Sequence, residues 1–408
     1  MEKFKERLKA FKNSPWIFTT YFAEGFPFSV AGDLANTYFV SMGMSLQAFG
    51  LTSIYNFAWS LKFLWAPVID IFKTRKFWIL CMEALLSLVC IFLALSTLTL
   101  SPMYYAIVLF GFMALLSATH DVAIDGFYLE QLNETEQRFY SGFRIMAYRI
   151  SMLFVSAVLV GVAGLWGWKV CFAVTAAIMV CIFVFHLFNL PSSRTDHSHS
   201  LNKTAFANFK EAFVSYLKQD RIVVVLCFIV LYMVGNQMML KMAKPFLMRE
   251  LGITLTQMAI ISGTIGKICS ILGAIAGGMF IAKVGLKIGL WVLAFIQSFA
   301  VLAYLMLAIF KPGIYWVAVV HAFETTSVSL ASVALVNYLM FTCKKDFKAS
   351  HYAIGSGLIM LGGSVASMLS GYIADSVGYV NFFTISFVAC MPGIILMFFL
   401  PFEHKTSL

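Results

Sequence analysis

Long apolar runs recur from one end of this chain to the other, separated by short polar segments. A helix that crosses a bilayer needs about 20 predominantly apolar residues. Stretches meeting that requirement lie at 16–40, 46–69, 77–98, 103–125, 139–163, 169–190, 222–245, 255–280, 288–310, 313–340, 350–374 and 379–401. Several exceed the minimum, which predicts tilt or an overrun into the cytoplasm. The first run is too long for a cleaved leader and no small-residue cleavage site follows it, so it is expected to remain as a span.

The loops between the runs carry a repeat. At the end of every third run stands a segment of small residues followed by charge or glycine. The copies are Ala66-Pro67-Val68-Ile69-Asp70 running to Thr74-Arg75-Lys76, and Gly161-Val162-Ala163-Gly164 leading to Gly167-Trp168-Lys169. The third is Gly277-Gly278 with Lys283-Val284-Gly285-Leu286-Lys287, and the fourth is Gly371-Tyr372-Ile373-Ala374-Asp375 followed by Gly378. A three-helix period of this kind is the mark of secondary transporters built from repeats. Larger units echo each other as well: Met42-Gly43-Met44-Ser45-Leu46 returns 209 residues later as Leu251-Gly252-Ile253-Thr254-Leu255. The pattern predicts an all-α membrane protein of the major facilitator type, with 12 transmembrane helices in two pseudo-symmetric six-helix bundles. The bundles are assigned to 1–190 and 222–408, joined by a cytoplasmic linker, 191–221, whose part from Phe206 to Tyr216 is expected to lie as a helix on the membrane surface.

Composition agrees. Hydrophobic residues make up 61% of the chain and charged residues 12%, against about 25% charged in ordinary soluble domains. A net charge of +10 would suggest nucleic acid if it were not so unevenly placed. Basic residues crowd the N-terminal segment (Lys3, Lys5, Arg7, Lys9, Lys12) and one set of loops, including Lys73, Arg75, Lys76, Arg138, Arg194, Lys203, Lys283, Lys287, Lys344 and Lys348. The opposite loops hold Lys169, Lys244, Arg249 and Lys311. This asymmetry assigns both termini to the cytoplasm and makes a nucleic-acid partner unexpected. Seven of the eight cysteines fall in apolar runs without metal-ligand spacing, so neither disulfides nor a metal site is expected. His197 and His199, in a serine-rich stretch, are read as linker residues. No phosphate loop, ligand triad or nucleophile elbow supports an enzyme or a cofactor.

Ionisable residues inside apolar runs need a reason, since each costs about 2.5–3.5 kcal/mol at a helix centre. Glu24, Lys267 and Glu324 fall near the middles of the first, eighth and tenth runs. Either glutamate suits a proton carrier, because desolvation favours the protonated form of a carboxylate; the competing reading is a static ion pair with Lys267. His321 lies three residues before Glu324, a spacing fit for a proton relay or for a hydrogen-bonded core histidine. Lys267 is the natural cation for an anionic substrate. Lys62 is expected to snorkel to the interface. His120-Asp121 and Asp125 at the inner end of the fourth run, with Arg144, Tyr148 and Arg149 in the fifth, read as a gating network, Arg144 and Arg149 also being candidates for substrate contact. Asp70 with Arg75 and Lys76 forms a comparable latch, with Asp375 its outer counterpart. Asn236 and Gln237 in the seventh run suit hydrogen bonds to a polyhydroxyl or amide-bearing ligand, or to another helix. Gly25-Phe26-Pro27 is expected to break the first helix beside Glu24.

Three blocks carry a family resemblance: Tyr21-Phe22-Ala23-Glu24-Gly25-Phe26-Pro27-Phe28, Lys62-Phe63-Leu64-Trp65-Ala66-Pro67-Val68-Ile69-Asp70, and Ser117-Ala118-Thr119-His120-Asp121-Val122-Ala123-Ile124-Asp125-Gly126. With Tyr148-Arg149, Phe323-Glu324 and Gly371-Tyr372-Ile373-Ala374, they resemble AmpG-type muropeptide permeases, of the peptide/acetyl-coenzyme A transporter branch of the major facilitator superfamily. The resemblance implies a proton-driven importer of anhydro-muropeptides in the bacterial inner membrane. Its partners are expected to be a small-molecule substrate, protons and the lipid bilayer, and a monomer is expected. It further implies that Asp121, Asp125 and Glu324 are functional carboxylates. The chain departs from the family's pattern at Asn236, where an aspartate is expected, at Lys267, where the lysine is expected a turn earlier at Gly263, and at Glu24, in place of a serine. Ferric siderophores and acetyl-coenzyme A-like anions are the alternative cargoes of the same branch, and a transport-inactive sensor is a further reading.

Overall fold

The computed structural model of the protein describes residues 15–192, 211, 213–344 and 347–402. Among them the regular elements are helices, eight of which are long and apolar enough to cross a membrane. Two of those eight are pairs of helices joined at a bend, at Gly167 and at Gly378. Together with the irregular helices at 15–41 and 46–71, they give twelve spans: α1 (15–41), α2 (46–71), α3 (Arg75–Ser96), α4 (Pro102–Gln131), α5 (134–166) and α6 (168–189). These are followed by α7 (Ile222–Glu250), α8 (Leu255–Val284), α9 (Leu286–Phe310), α10 (Ile314–Thr342), α11 (348–377) and α12 (379–399).

The repeat loops are where the backbone must reverse. Gly167, Gly285 and Gly378 have φ of 84°, 84° and 75° with ψ of 169°, 160° and 166°, a region open essentially to glycine alone. The first copy turns on Lys73, at φ 62°. The echo between the halves is equally literal: Gly43 and Gly252 both have positive φ, at 77° and 66°. Two residues on, Ser45 and Thr254 cap the next helix, accepting from the amides of Ala48 and Gln257.

Helix α1 differs from expectation. It runs unbroken from Pro15 to Ser29 through Pro27, and a wide π-helical turn at Val30–Leu34 follows. Proline removes one N–H, which a helix can absorb where neighbouring helices support it. Gly25 serves packing instead: a Cβ there would stand 2.9 Å from the Tyr148 carbonyl oxygen of α5.

Contacts divide the chain into two compact units. One holds the described residues up to Met42 and those from Leu61 to Ser192; the other holds Gly43–Ser60 and the described residues from Glu211 onward. The division thus falls within α2 as well as in the linker. The first part of α2 packs on α11 with backbones nearly touching: a Cβ on Gly50 would meet the Met368 carbonyl oxygen at 2.7 Å. Gln47 donates to Asp375 at 2.9 Å, and the Arg249 guanidinium to the Met44 carbonyl at 2.7 Å. Within the first unit α1 packs on α4 and α5, and α3 on α4 and α6; within the second, α10 packs on α8 and α9. Trp16, Ile79, Ile124 and Phe127 form one core, and Phe228, Tyr232, Leu290 and Tyr338 the other. Leu88, Phe92 and Phe112 stay exposed on the outside, as side chains facing lipid do. The linker residues His197 and His199, the N-terminal basic segment and most of Phe206–Tyr216 lie outside the described residues.

Candidate functional site

In the first unit, four helices deliver charge to one place. Asp121 and Asp125 stand one turn apart on α4 and so share a face. Lys62, at the end of the broken stretch of α2, forms an ion pair with Asp121. It is therefore an internal partner and does not reach for the interface as its position in the chain suggests. Tyr21 on α1 donates to Asp125 Oδ1 at 3.0 Å, and Arg144 on α5 reaches the same oxygen at 3.3 Å. The Arg144 guanidinium also donates to the Tyr21 hydroxyl at 3.0 Å and lies 5.0 and 5.3 Å from the Tyr21 and Tyr128 ring centroids, so hydrogen bonds and cation–π attraction fix it together. Glu24, buried one turn after Tyr21, touches Asp121 and feels the charges of Asp125 and Lys62. Tyr148 packs on Gly25 and, at 5.8 Å, against the ring of Phe28, with the exposed Arg149 acting on it through charge.

The cluster thus sets three carboxylates (Glu24, Asp121, Asp125) against two cations (Lys62, Arg144). Fully ionised, these five side chains carry one negative charge in excess, with the exposed Arg149 acting from the side of Tyr148. Two carboxylates in contact can hold one proton between them, which cancels that surplus. Arg75 stands nearby at the C-terminal end of α4, where its guanidinium donates to the Gly126 carbonyl. A Cβ on Gly126 would lie 2.7–2.9 Å from guanidinium atoms, so a side chain there would push Arg75 aside. The side chain of Asp70 lies outside the described residues.

In the second unit Glu324 on α10 is fully buried, with His321 Nδ1 3.3 Å from its Oε2. The same nitrogen lies 2.8 Å from the Tyr304 hydroxyl of α9. His321 rests on Gly266 of α8, where a Cβ would meet Nε2 at 2.9 Å. The next residue, Lys267, is near enough for its charge to act on Glu324. Spacing of three along α10 has therefore put His321 and Glu324 in contact. The two amides of α7 part company. Asn236 is buried and turned into its own unit, donating to the Gln297 carbonyl at 3.2 Å while its oxygen faces Cys390 Sγ at 3.7 Å. Half-buried Gln237 lies along Gly363 of α11.

Three ionisable side chains within the spans escaped the sequence reading. Glu83 on α3 and His186 on α6 meet through Oε1 and Nδ1 at 2.6 Å, and His120 of α4 reaches the same oxygen at 3.3 Å. His120 accordingly faces away from the cluster formed by its neighbour Asp121. Lys241 on α7 donates to Thr52 at 2.8 Å and lies 4.1 Å from the centroid of the Phe49 ring. Glu83 and His186 are lone ionisable residues in apolar runs, and Lys241 has Lys244 one turn on; ionisable residues so placed signal burial with a partner. In each case the partner is distant in sequence. Among the described residues no group of histidine, cysteine or acidic side chains is arranged to hold a metal ion, and the cysteines are free.

Known proteins agree with this architecture. The profile of the Major Facilitator Superfamily matches residues 17–340. An anhydromuropeptide permease of Escherichia coli (strain K12) is 26% identical, the match covering 92% of this chain and 77% of that protein. A putative transporter AmpG 4 of Rickettsia felis is 24% identical, over 94% of this chain and 95% of that one. Among solved structures, a bacterial homolog of the human lysosomal transporter Spinster, inward-facing and unoccupied, superposes with a TM-score of 0.70 at 14% identity, covering 94% of each chain. A glutamate-to-glutamine mutant of the peptide transporter POT in complex with alafosfalin gives 0.71 at 12% identity, over 93% and 92%.

Proposed function

From a chain that belongs to the Major Facilitator Superfamily, we propose a permease that imports anhydro-muropeptides across the bacterial inner membrane, driven by protons. Similarity to anhydromuropeptide and AmpG permeases along nearly the whole chain supports the substrate class. The observation that carries the proton coupling is the unequal charge count around Glu24: three acids, two bases, all drawn from helices of one unit.

In this reading Glu24 is the proton carrier. Its proton is held against Asp121 while Lys62 neutralises that aspartate, so the cluster is neutral when loaded. Release of the proton leaves a surplus charge inside the membrane, worth about 2.5–3.5 kcal/mol, and drives the unit to rearrange its ion pairs. Lys62–Asp121 and Arg144–Asp125 are the contacts that rearrange, which gives Asp121, Asp125 and Tyr148 a gating role. Glu324, with His321 and Tyr304 beside it, is the second protonatable carboxylate. Lys267 attracts the substrate's acidic groups, and Gln237 offers an amide to its sugar or peptide. Asn236 serves helix packing. Both termini are placed in the cytoplasm, following the distribution of lysine and arginine.

Uptake of labelled N-acetylglucosaminyl-anhydro-N-acetylmuramyl peptide into proteoliposomes tests the substrate class. Saturable uptake is expected. Absence of uptake by folded protein that does take up a ferric siderophore would overturn it.

A further inference from the structure

Away from the Glu24 cluster, the first unit contains a second set of ionisable groups with no assigned purpose. Glu83, His120 and His186 are each fully buried. They come from α3, α4 and α6, and a fourth helix joins through Thr19 of α1, whose hydroxyl lies 3.0 Å from His186 Nε2. On its outer side His186 backs an apolar groove of about 620 Å³ lined by Phe18, Phe22, Ile178, Ile182 and Phe185, which offers it no other polar partner.

We propose that Glu83, His120 and His186 form a proton-binding site that holds one proton as a His186 imidazolium against a Glu83 carboxylate. The contacts accommodate that proton. One carboxylate oxygen faces His186 Nδ1 at 2.6 Å and His120 Nε2 at 3.3 Å, and in the proposed state both nitrogens bring an N–H to it. The Thr19 hydroxyl lies 3.2 Å from the Trp16 carbonyl oxygen and 3.4 Å from that of Pro15, both within its own helix. In the proposed state the Thr19 hydroxyl gives its proton to one of these carbonyls and accepts from His186 at 3.0 Å, which then carries a proton on each ring nitrogen. His120 Nδ1 has no hydrogen-bond partner. A bare nitrogen tolerates that better than a buried N–H would, so His120 is neutral. The total is one negative charge, one positive charge and one neutral ring.

His120 and His186 supply the electrostatic influences on Glu83, Thr19 is the partner from α1, and Asp121, the next residue after His120, is paired with Lys62. The site is therefore distinct from the Glu24 cluster, yet tied to it by two short covalent links. Thr19 precedes Glu24 by five residues on α1, and His120 precedes Asp121 directly. Its proton holds α1 and α4 in the register that brings Glu24 to Asp121, which makes the three residues positioning residues for the coupling cluster.

Nitrogen NMR of the protein labelled with ¹⁵N-histidine, in lipid bilayers at pH 7.5, tests the assignment without any substrate. A histidine with both ring nitrogens protonated is expected. Its signal should vanish in His186→Gln, convert to a neutral ring in Glu83→Gln, and persist in Glu24→Gln and His321→Gln. Should Glu83→Gln fail to fold, the difference between wild type and His186→Gln decides. A neutral His186 in the wild-type protein, or an imidazolium that survives Glu83→Gln, overturns the proposal. Because transport is not measured, failure here is separable from failure of the muropeptide reading, on which only the positioning role depends.

Discussion

Replacing Glu24 by glutamine changes the charge count of the first unit by one and alters its shape very little. The native cluster has three acids and two bases, so the form with one proton is neutral and the form without it carries a charge in the membrane interior. At up to about 2.5–3.5 kcal/mol for such a charge, and 1.36 kcal/mol per tenfold, protonation is favoured up to about 70- to 400-fold more than for a solvated carboxylate. Glutamine leaves two acids and two bases, which balance with no proton, and its amide can donate to Asp121. The assay is accumulation of labelled muropeptide in proteoliposomes with the membrane potential clamped at zero and a one-unit inward pH gradient. One proton per substrate then supports about tenfold accumulation. Glu24→Gln should accumulate to a ratio of about one, keep substrate exchange between equal concentrations, and lose no thermal stability. Tenfold accumulation by this variant would refute the charge count. So would loss of exchange in a stable variant, since Glu24 would then be a substrate contact.

Other variants probe the surroundings. Glu324→Gln should also abolish gradient-driven accumulation while binding substrate normally by calorimetry; retained accumulation would confine coupling to the first unit. Asp121→Asn removes the partner of Lys62, and should alter transport rate and thiol labelling of single-cysteine variants at the cytoplasmic side more than substrate affinity. Gly25→Ala places a methyl 2.9 Å from the Tyr148 carbonyl oxygen; thermal unfolding should show a loss of about 1–3 kcal/mol, the usual cost of overpacking. Gly126→Ala should cost less, because the obstacle is the Arg75 guanidinium, which can swing aside. Stability equal to wild type in Gly25→Ala would show that the helices have room to move apart.

What the sequence revealed and what it hid have different physical origins. Spans and turns are local properties. Twenty apolar residues specify a membrane helix wherever they stand, and the glycines at 167, 285 and 378 announce the reversals that only glycine adopts easily. His321 and Glu324 were equally legible, since a spacing of three fixes their contact. Partnerships between helices were not. Lys62 sits near the end of an apolar run, where a snorkelling lysine and an internal ion pair look alike, and its aspartate lies 59 residues further on. Glu83 and His186 are 103 residues apart, each alone among hydrophobic neighbours. Gly25-Phe26-Pro27 misled for the opposite reason: the local rule was sound, but packing on α5 kept the helix whole and used the glycine for close approach. Asn236 shows the same limit, because an amide in an apolar run fits a ligand or a helix partner equally, and here Gln297 takes it.

Substrate and coupling can be tested together in one measurement. Muropeptide is added outside proteoliposomes that contain a trapped pH indicator, with no gradient imposed and the potential clamped. Inward movement of substrate with its proton should acidify the lumen in the wild type and leave it unchanged in Glu24→Gln. A lumen that stays at constant pH while labelled muropeptide enters the wild-type vesicles would contradict proton coupling through this cluster.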